Sequence, residues 1–133
     1  MGTGPWKPPP SRLELEVLDA VWTLGEASSA DVVEAVRRRR PLAPTTIRTV
    51  LHNLRRKGYV VPVPSLERGF RWKAAVTHQA VARRSIRELL RSLFDGSPRQ
   101  AIALLLKDEE LTADDLAEIR RLLDAKRSRR DAP

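Results

Sequence analysis

The 133-residue chain contains no cysteine, which excludes disulfides, thiolate metal centres and cysteine nucleophiles. Its two histidines, His52 and His78, lie far apart in sequence, without the ligand spacing that zinc requires. Neither a Gly-rich phosphate loop nor a Ser/His/Asp or Cys/His constellation occurs, so the chain is not expected to be an enzyme or to carry a cofactor or metal. The carboxylates Asp108-Glu109-Glu110 and Asp114-Asp115 flank a helix start, where they read as dipole partners rather than acid/base pairs. Aromatic residues make up 5% of the sequence, few for the stacking platforms with which exposed RNA bases are read. No apolar run approaches the ~20 residues needed to cross a bilayer, and the N-terminus lacks the apolar stretch of a signal peptide. A soluble, cytoplasmic protein is expected.

What the chain does have is positive charge. The formal net charge is +8, which makes a polyanion the first partner to consider. The excess is uneven: residues 1–76 hold 13 Lys/Arg against 7 Asp/Glu, and residues 77–133 hold 12 against 10. Within the basic half lies the stretch A-P-T-T-I-R-T-V-L-H-N-L-R-R-K-G, Ala43 to Gly58, without a single carboxylate. Ile47, Val50, Leu51 and Leu54 follow the i, i+3, i+4, i+7 rule and predict a buried helix face. The opposite face carries Thr45, Thr46, Thr49, His52, Asn53 and Arg56, bordered by Arg48 and Arg55. An ordinary solvated helix pairs Glu with Lys at i, i+4. This one is suited to meet an anion.

Residues 1–10 contain four prolines with Trp6 and Lys7, and read as a flexible arm. Ser11 with Glu14 forms a capping box for a first helix, with an inner stripe of Leu13, Val17, Ala20, Val21 and Leu24, widened by Leu18 and Trp22. Gly25 ends it. Ser28 with Asp31 caps a second helix, Ser29 to Arg39, burying Val32, Val33 and Val36. The run Arg37 to Arg40 admits two readings, as cations complementing the helix dipole and as phosphate contacts. Pro41 breaks this helix and Pro44 suits the first position of the next. A short helix, a tight turn and a helix with a polar outer face make a helix-turn-helix. Tyr59 to Val63 then predicts a strand, confined to an edge by Pro62 and Pro64, and Phe70 to Lys73 predicts its return partner. Arg68 stands at the tip of this ribbon.

From Thr77 onward only helices are expected. Ala82, Ile86, Leu89, Leu90, Leu93 and Phe94 share one face; Ser97-Pro98 starts a helix carrying Ile102, Leu104, Leu105 and Leu106; Thr112 with Asp115 caps one carrying Leu116, Ile119, Leu122 and Leu123. Three short amphipathic helices bury too little apolar surface, at about 25 cal/mol per Å², to offset their ordering entropy alone. They call for a partner, most simply a second copy. The expected fold is mainly α with a small β-ribbon: residues 1–10 an arm, 11–76 a winged helix-turn-helix, 77–125 a C-terminal three-helix dimerisation domain, and 126–133 a disordered basic tail.

With these residues in place the sequence resembles the penicillinase-repressor family of bacterial regulators, the BlaI/MecI type. The resemblance rests on S-R-L-E-L-E-V-L-D-A-V-W (Ser11 to Trp22), the stretch from Ala43 to Gly58, R-G-F-R-W (Arg68 to Trp72), L-F-D-G-S (Leu93 to Ser97) and L-T-A-D-D-L (Leu111 to Leu116), in order. It implies a homodimer that represses transcription by occupying a palindromic operator, with the recognition helix, about 44–57, in the major groove. Threonines matching Thr46 and Thr49 contact DNA in that family. The family often has Arg or Lys where this chain has His52-Asn53, and Lys at Thr45, so a different base sequence is expected. Some members are cut in the dimerisation region by a membrane-bound sensor protease; the matching stretch, Ala101 to Leu106, is wholly aliphatic here.

Thr49 and Asn53 are thus the candidates for base edges, with Thr46, Arg48, Arg56, Lys57 and Arg68 on phosphates and Thr45 and His52 completing the face. Ile86, Leu89, Leu90, Leu93, Ile102, Leu105, Leu116, Ile119 and Leu123 are the candidate dimer contacts. The alternative reading is a winged-helix module whose basic face binds protein or RNA.

Overall fold

In the computed structural model, which describes residues 9–66 and 69–132, eight elements follow one another: α1 (Arg12–Leu24), α2 (Ser29–Arg37), α3 (Pro44–Arg56), β1 (Val60–Pro64), β2 (Phe70–Ala74), α4 (His78–Leu93), α5 (Pro98–Asp108) and α6 (Ala113–Asp131). Each start has a chemical cause. Ser11 Oγ accepts from the Glu14 N–H at 3.2 Å while Glu14 Oε1 accepts from the Ser11 N–H at 2.8 Å, and Ser28/Asp31 and Thr112/Asp115 repeat the reciprocal pair. These boxes satisfy amide donors that a first helical turn otherwise leaves open. Thr77, which the sequence pattern does not mark as a cap, accepts from the Ala80 N–H at 3.0 Å and starts α4. Pro44 stands at the start of α3, where its missing N–H costs nothing.

The chain forms two compact units, one running to Ile86 and the other beginning at Arg87. In the first, Val17, Leu18 and Val21 of α1, Val32, Val33 and Val36 of α2, and Ile47, Val50, Leu51 and Leu54 of α3 share one core with Tyr59, Val60, Trp72 and Val81. The end of α3 is a Schellman turn: the Gly58 N–H donates to Arg55 O at 3.0 Å and the Tyr59 N–H to Leu54 O at 2.9 Å. Gly58 takes φ 87° there, a left-handed conformation that only glycine adopts without strain. Burial pushes the Tyr59 phenol up from its ordinary pKa, against a smaller opposing effect of the Arg84 charge.

β1 and β2 pair antiparallel, Val60 opposite Ala74 and Pro64 opposite Phe70. On its other side β2 takes one further bridge, in which Trp72 and Ala27 exchange both backbone bonds, at 2.7 and 3.0 Å. β1, with its two prolines, is therefore the edge strand, as proline's missing donor requires. Three helices closed by this ribbon form a winged helix.

The second unit has the end of α4 and all of α5 and α6. No residue of α5 or α6 is buried, and Leu93 on α4 is 70% exposed.

Several expectations are corrected. Of the expected α1 stripe only Leu24 is exposed, in the last residue before Gly25 and beyond the core; Val17, Leu18 and Val21 are buried, Leu13, Ala20 and Trp22 pack half-buried against them, and Glu14 joins the buried face. α2 ends at Arg37 rather than Arg39, its last turn tightening as the Arg39 N–H donates three residues back to Val36 O at 3.0 Å. The winged-helix unit continues past residue 76: Trp22 Nε1 donates to Val76 O at 2.9 Å, the Trp22 and His78 rings meet edge to face at 5.1 Å, and Val81 is buried in the same core. The basic tail is helical as far as Asp131. Arg and Lys have good helix propensity, and Arg129 and Arg130 at the C-terminus oppose the negative dipole end. Residues 1–8 of the expected arm lie outside the described residues.

Candidate nucleic-acid interface

α3 buries Ile47, Val50, Leu51 and Leu54. At about 100° per residue, Thr45, Thr49, His52 and Arg56 then point directly away from the core, and all four are exposed. Arg48 and Arg55 flank this stripe on one side, both exposed; Thr46, exposed, and Asn53, half-buried, flank it on the other. The face holds no carboxylate, and among the described residues neither Arg48 nor Arg55 has an acidic partner. Hydroxyls near the N-terminus and uncompensated cations towards the C-terminus give α3 both hydrogen-bonding capacity and an attractive field for phosphate.

The structure tightens this stripe at its C-terminal end. The Arg56 guanidinium donates to Asn53 Oδ1, so the amide expected to read a base is already oriented by its neighbour. His52 sets its ring edge to face against Trp72, 5.8 Å between centroids at 82°, and Trp72 meets Phe70 in the same way at 4.9 Å. An aromatic stack thus links the exposed face of α3 to the ribbon. Arg68 lies outside the described residues. Of the ribbon's other cations, Lys73 is exposed, whereas Arg71 donates to Glu26 O at 2.9 Å and approaches Asp31 at 3.8 Å.

Lys57 is the candidate that the structure engages elsewhere. Its Nζ lies 2.7 Å from Glu14 Oε1, with the two side chains 26% and 8% exposed. On the helical wheel Lys57 falls at the border of the buried stripe, and this position was the signal that could have set it apart. Burial raises the Glu14 carboxyl, but the hydrogen bond from Lys57, those from Ser11 and the lysine charge outweigh it, leaving the group below its ordinary value. A carboxyl lowered on folding stabilises the fold fully above the ordinary glutamate value of about 4.3, and that contribution is lost as pH falls through the lower, folded value. Glu14→Gln should therefore cost about 1–2 kcal/mol at neutral pH and show a smaller loss of stability between neutral and acid pH than the parent. Urea melts at a series of pH values read this, and an unchanged acid dependence would show that Glu14 is not the group responsible.

No three His, Asp or Glu side chains converge as a metal site among the described residues. No described helix is long and apolar enough to cross a membrane.

The candidate dimer residues are open in the single chain. Ile86, Leu89 and Leu93 on α4, Ile102 and Leu105 on α5, and Leu116 and Leu123 on α6 are exposed, and Leu90 and Ile119 are half-buried. Ile102, Leu105, Ile119 and Leu123 line one open apolar groove between α5 and α6. Ala101 to Leu106 lies inside α5.

The family profile described as "Penicillinase repressor" matches residues 10–125. The chain belongs to the penicillinase-repressor family. Family and fold together make it a winged-helix transcriptional repressor. Among curated relatives, the methicillin resistance regulatory protein MecI of Mammaliicoccus sciuri is 23% identical over 116 residues, 87% of this chain and 94% of its own. The penicillinase repressor of Staphylococcus aureus is 21% identical over 114 residues, 86% of this chain and 90% of its own. Of solved structures, the multiple antibiotic-resistance repressor MarR of Listeria monocytogenes superposes with a TM-score of 0.49 at 15% identity, over 89% of this chain and 73% of that one. That likeness is too loose to transfer any residue's role.

Proposed function

We propose that this member of the penicillinase-repressor family is a homodimer that reads a palindromic operator with α3 and silences the adjacent promoter by occupying it. The observation that carries the reading is the outer face of α3: Thr45, Thr49, His52 and Arg56 exposed on one stripe with no carboxylate, His52 alone of the four resting a ring edge on the core through Trp72. In a major groove, Thr49 would meet base edges with Asn53 beside it, held by Arg56. Thr46 and Arg48 would hold phosphates and fix the register. Lys57 is left out of the contact set because Glu14 already engages it. A two-fold dimer would place its two α3 helices about 34 Å, one DNA turn, or a multiple of it apart.

The bare apolar faces of the second unit support dimerisation. α5 and α6 bury no residue in the single chain, and apolar surface of that extent is normally covered by a partner. Cleavage by a sensor protease near 101–106 would require α5 to open locally first, since a helical peptide bond must be drawn out to enter a protease cleft.

Selection of bound duplexes from a random pool, followed by footprinting, tests the reading. A recurring inverted repeat is expected, and a pool that never enriches would sink it. On the selected site, Thr49→Ala should lose about 1–2 kcal/mol of affinity, the scale of a base contact, with little change on random duplex. Equal losses on both would remove Thr49 from base reading.

A further inference from the structure

The four consecutive arginines that run from the last residue of α2 into the turn beyond it are equivalent in sequence, and the structure separates them. Arg38 Nη2 lies 2.7 Å from Glu34, Arg39 Nη1 lies 3.2 Å from Asp19, and Arg40 Nη1 lies 2.7 Å from Glu16. Each is committed to a carboxylate of α1 or α2, so each pair presents little net charge to anything beyond it. Arg37 has no such partner among the described residues. It is exposed, and it shares with Arg48 of α3 an open groove floored by Ala30, Val33, Pro41 and Pro44. Glu34 and Arg38 also border this groove and neutralise one another. Two uncompensated guanidinium groups therefore stand on opposite helices over an apolar floor, beside the exposed face of α3.

We infer that Arg37 and Arg48 together clamp one phosphate of the DNA backbone across the α2–α3 groove, while Arg38, Arg39 and Arg40 stay with their carboxylates and do not touch DNA. The inference rests on α3 being the DNA-reading helix. Guanidinium is well matched to phosphate, because its planar fork gives two parallel donors to one anion and it stays charged at every accessible pH. A small apolar floor brings no competing acceptor. A phosphate fixed there would set how deeply the first turn of α3, with Thr45 and Thr46, enters the groove. No base is read, so the contact adds affinity without preference among sequences.

The test uses the full-length protein and a labelled random-sequence duplex, with anisotropy titrations at several salt concentrations. Arg37→Ala should weaken binding at least about fivefold at 0.1 M salt and reduce the slope of log affinity against log salt by about two, one for the clamp of each protomer in the dimer. Arg39→Ala and Arg40→Ala remove the same net charge, and the carboxylates they free, Asp19 and Glu16, lie on α1 outside the groove, so both should leave the slope near the parent's. Arg37→Lys should restore it, because counterion release follows charge. Parent binding with an unchanged slope for Arg37→Ala, or an equal loss for Arg39→Ala, would overturn the inference and leave the proposed function standing. Failure of the parent to bind any duplex would overturn the proposed function, and this inference with it. Melting of each variant by circular dichroism accompanies the titrations; an affinity loss that follows a loss of folded Arg37→Ala protein would also count against the clamp.

Discussion

Trp72→Ala should destabilise the winged helix by about 3–5 kcal/mol, the range for deleting a large buried aromatic. Trp72 is 1% exposed, the largest fully buried side chain in the core. Three attachments converge on it. Its indole Nε1 donates to Ser29 Oγ at 2.8 Å, tying β2 to the first turn of α2. Its backbone exchanges both hydrogen bonds with Ala27, tying β2 to the α1–α2 connection. Its ring meets Phe70 and His52, tying the ribbon to the exposed face of α3. Alanine would leave a cavity bordered by three elements that cannot all collapse into it, which is where cavity costs are highest. For a domain of this size each kcal/mol lowers the melting temperature by about 4–8 °C, so a drop above about 12 °C is expected. Trp72→Phe retains most of the apolar volume and loses the indole donor, and should cost about 1–2 kcal/mol. Thermal and urea melts followed by circular dichroism give both numbers. A Trp72→Ala protein melting within a few degrees of the parent would show that the ribbon is not part of the cooperative core.

The features that were legible in the sequence are those governed by neighbours. Ser11/Glu14, Ser28/Asp31 and Thr112/Asp115 form capping boxes as their three-residue spacing requires. Ile47, Val50, Leu51 and Leu54 are buried as their periodicity requires, and Pro62 and Pro64 confine β1 to the edge. What the sequence concealed depends on residues that meet across long separations. Glu14 and Lys57 are 43 residues apart; a carboxylate serving as a cap and a lysine ending a polar helix give no local sign that they pair. Arg39 with Asp19 and Arg40 with Glu16 are likewise set by how α2 crosses α1. The winged-helix boundary at Ile86 has the same origin, since Val81 joins the core only because α4 packs there. For the candidate interface, the outward stripe of α3 could be read from the helical repeat, whereas the engagement of Asn53 by Arg56 and the rest of His52 on Trp72 could not.

Leu116→Asp should produce a folded monomer with operator affinity reduced by about 100-fold or more. Leu116 is 49% exposed and borders an apolar depression between α5 and α6 together with Leu106 and Leu123. Because nothing in the single chain covers it fully, a carboxylate there costs the isolated fold little. In a dimer the same carboxylate would be drawn out of water among Leu106, Ile119 and Leu123, a desolvation cost that weakens the interface even with Arg120 and Arg127 lining the same depression. The consequence for DNA follows from linkage. Two reading heads on one scaffold make the second contact intramolecular, and joining two modules commonly adds about 10²–10⁴ in affinity over one alone. A monomer retains one α3 and its phosphate contacts, so its binding should show about half the salt slope of the parent as well as the lower affinity. Sedimentation measures the association state, and titration of the selected operator at several salt concentrations measures the rest. A Leu116→Asp protein that remains dimeric would remove this face of α6 from the interface. A monomeric variant with undiminished operator affinity would show that the two heads act independently.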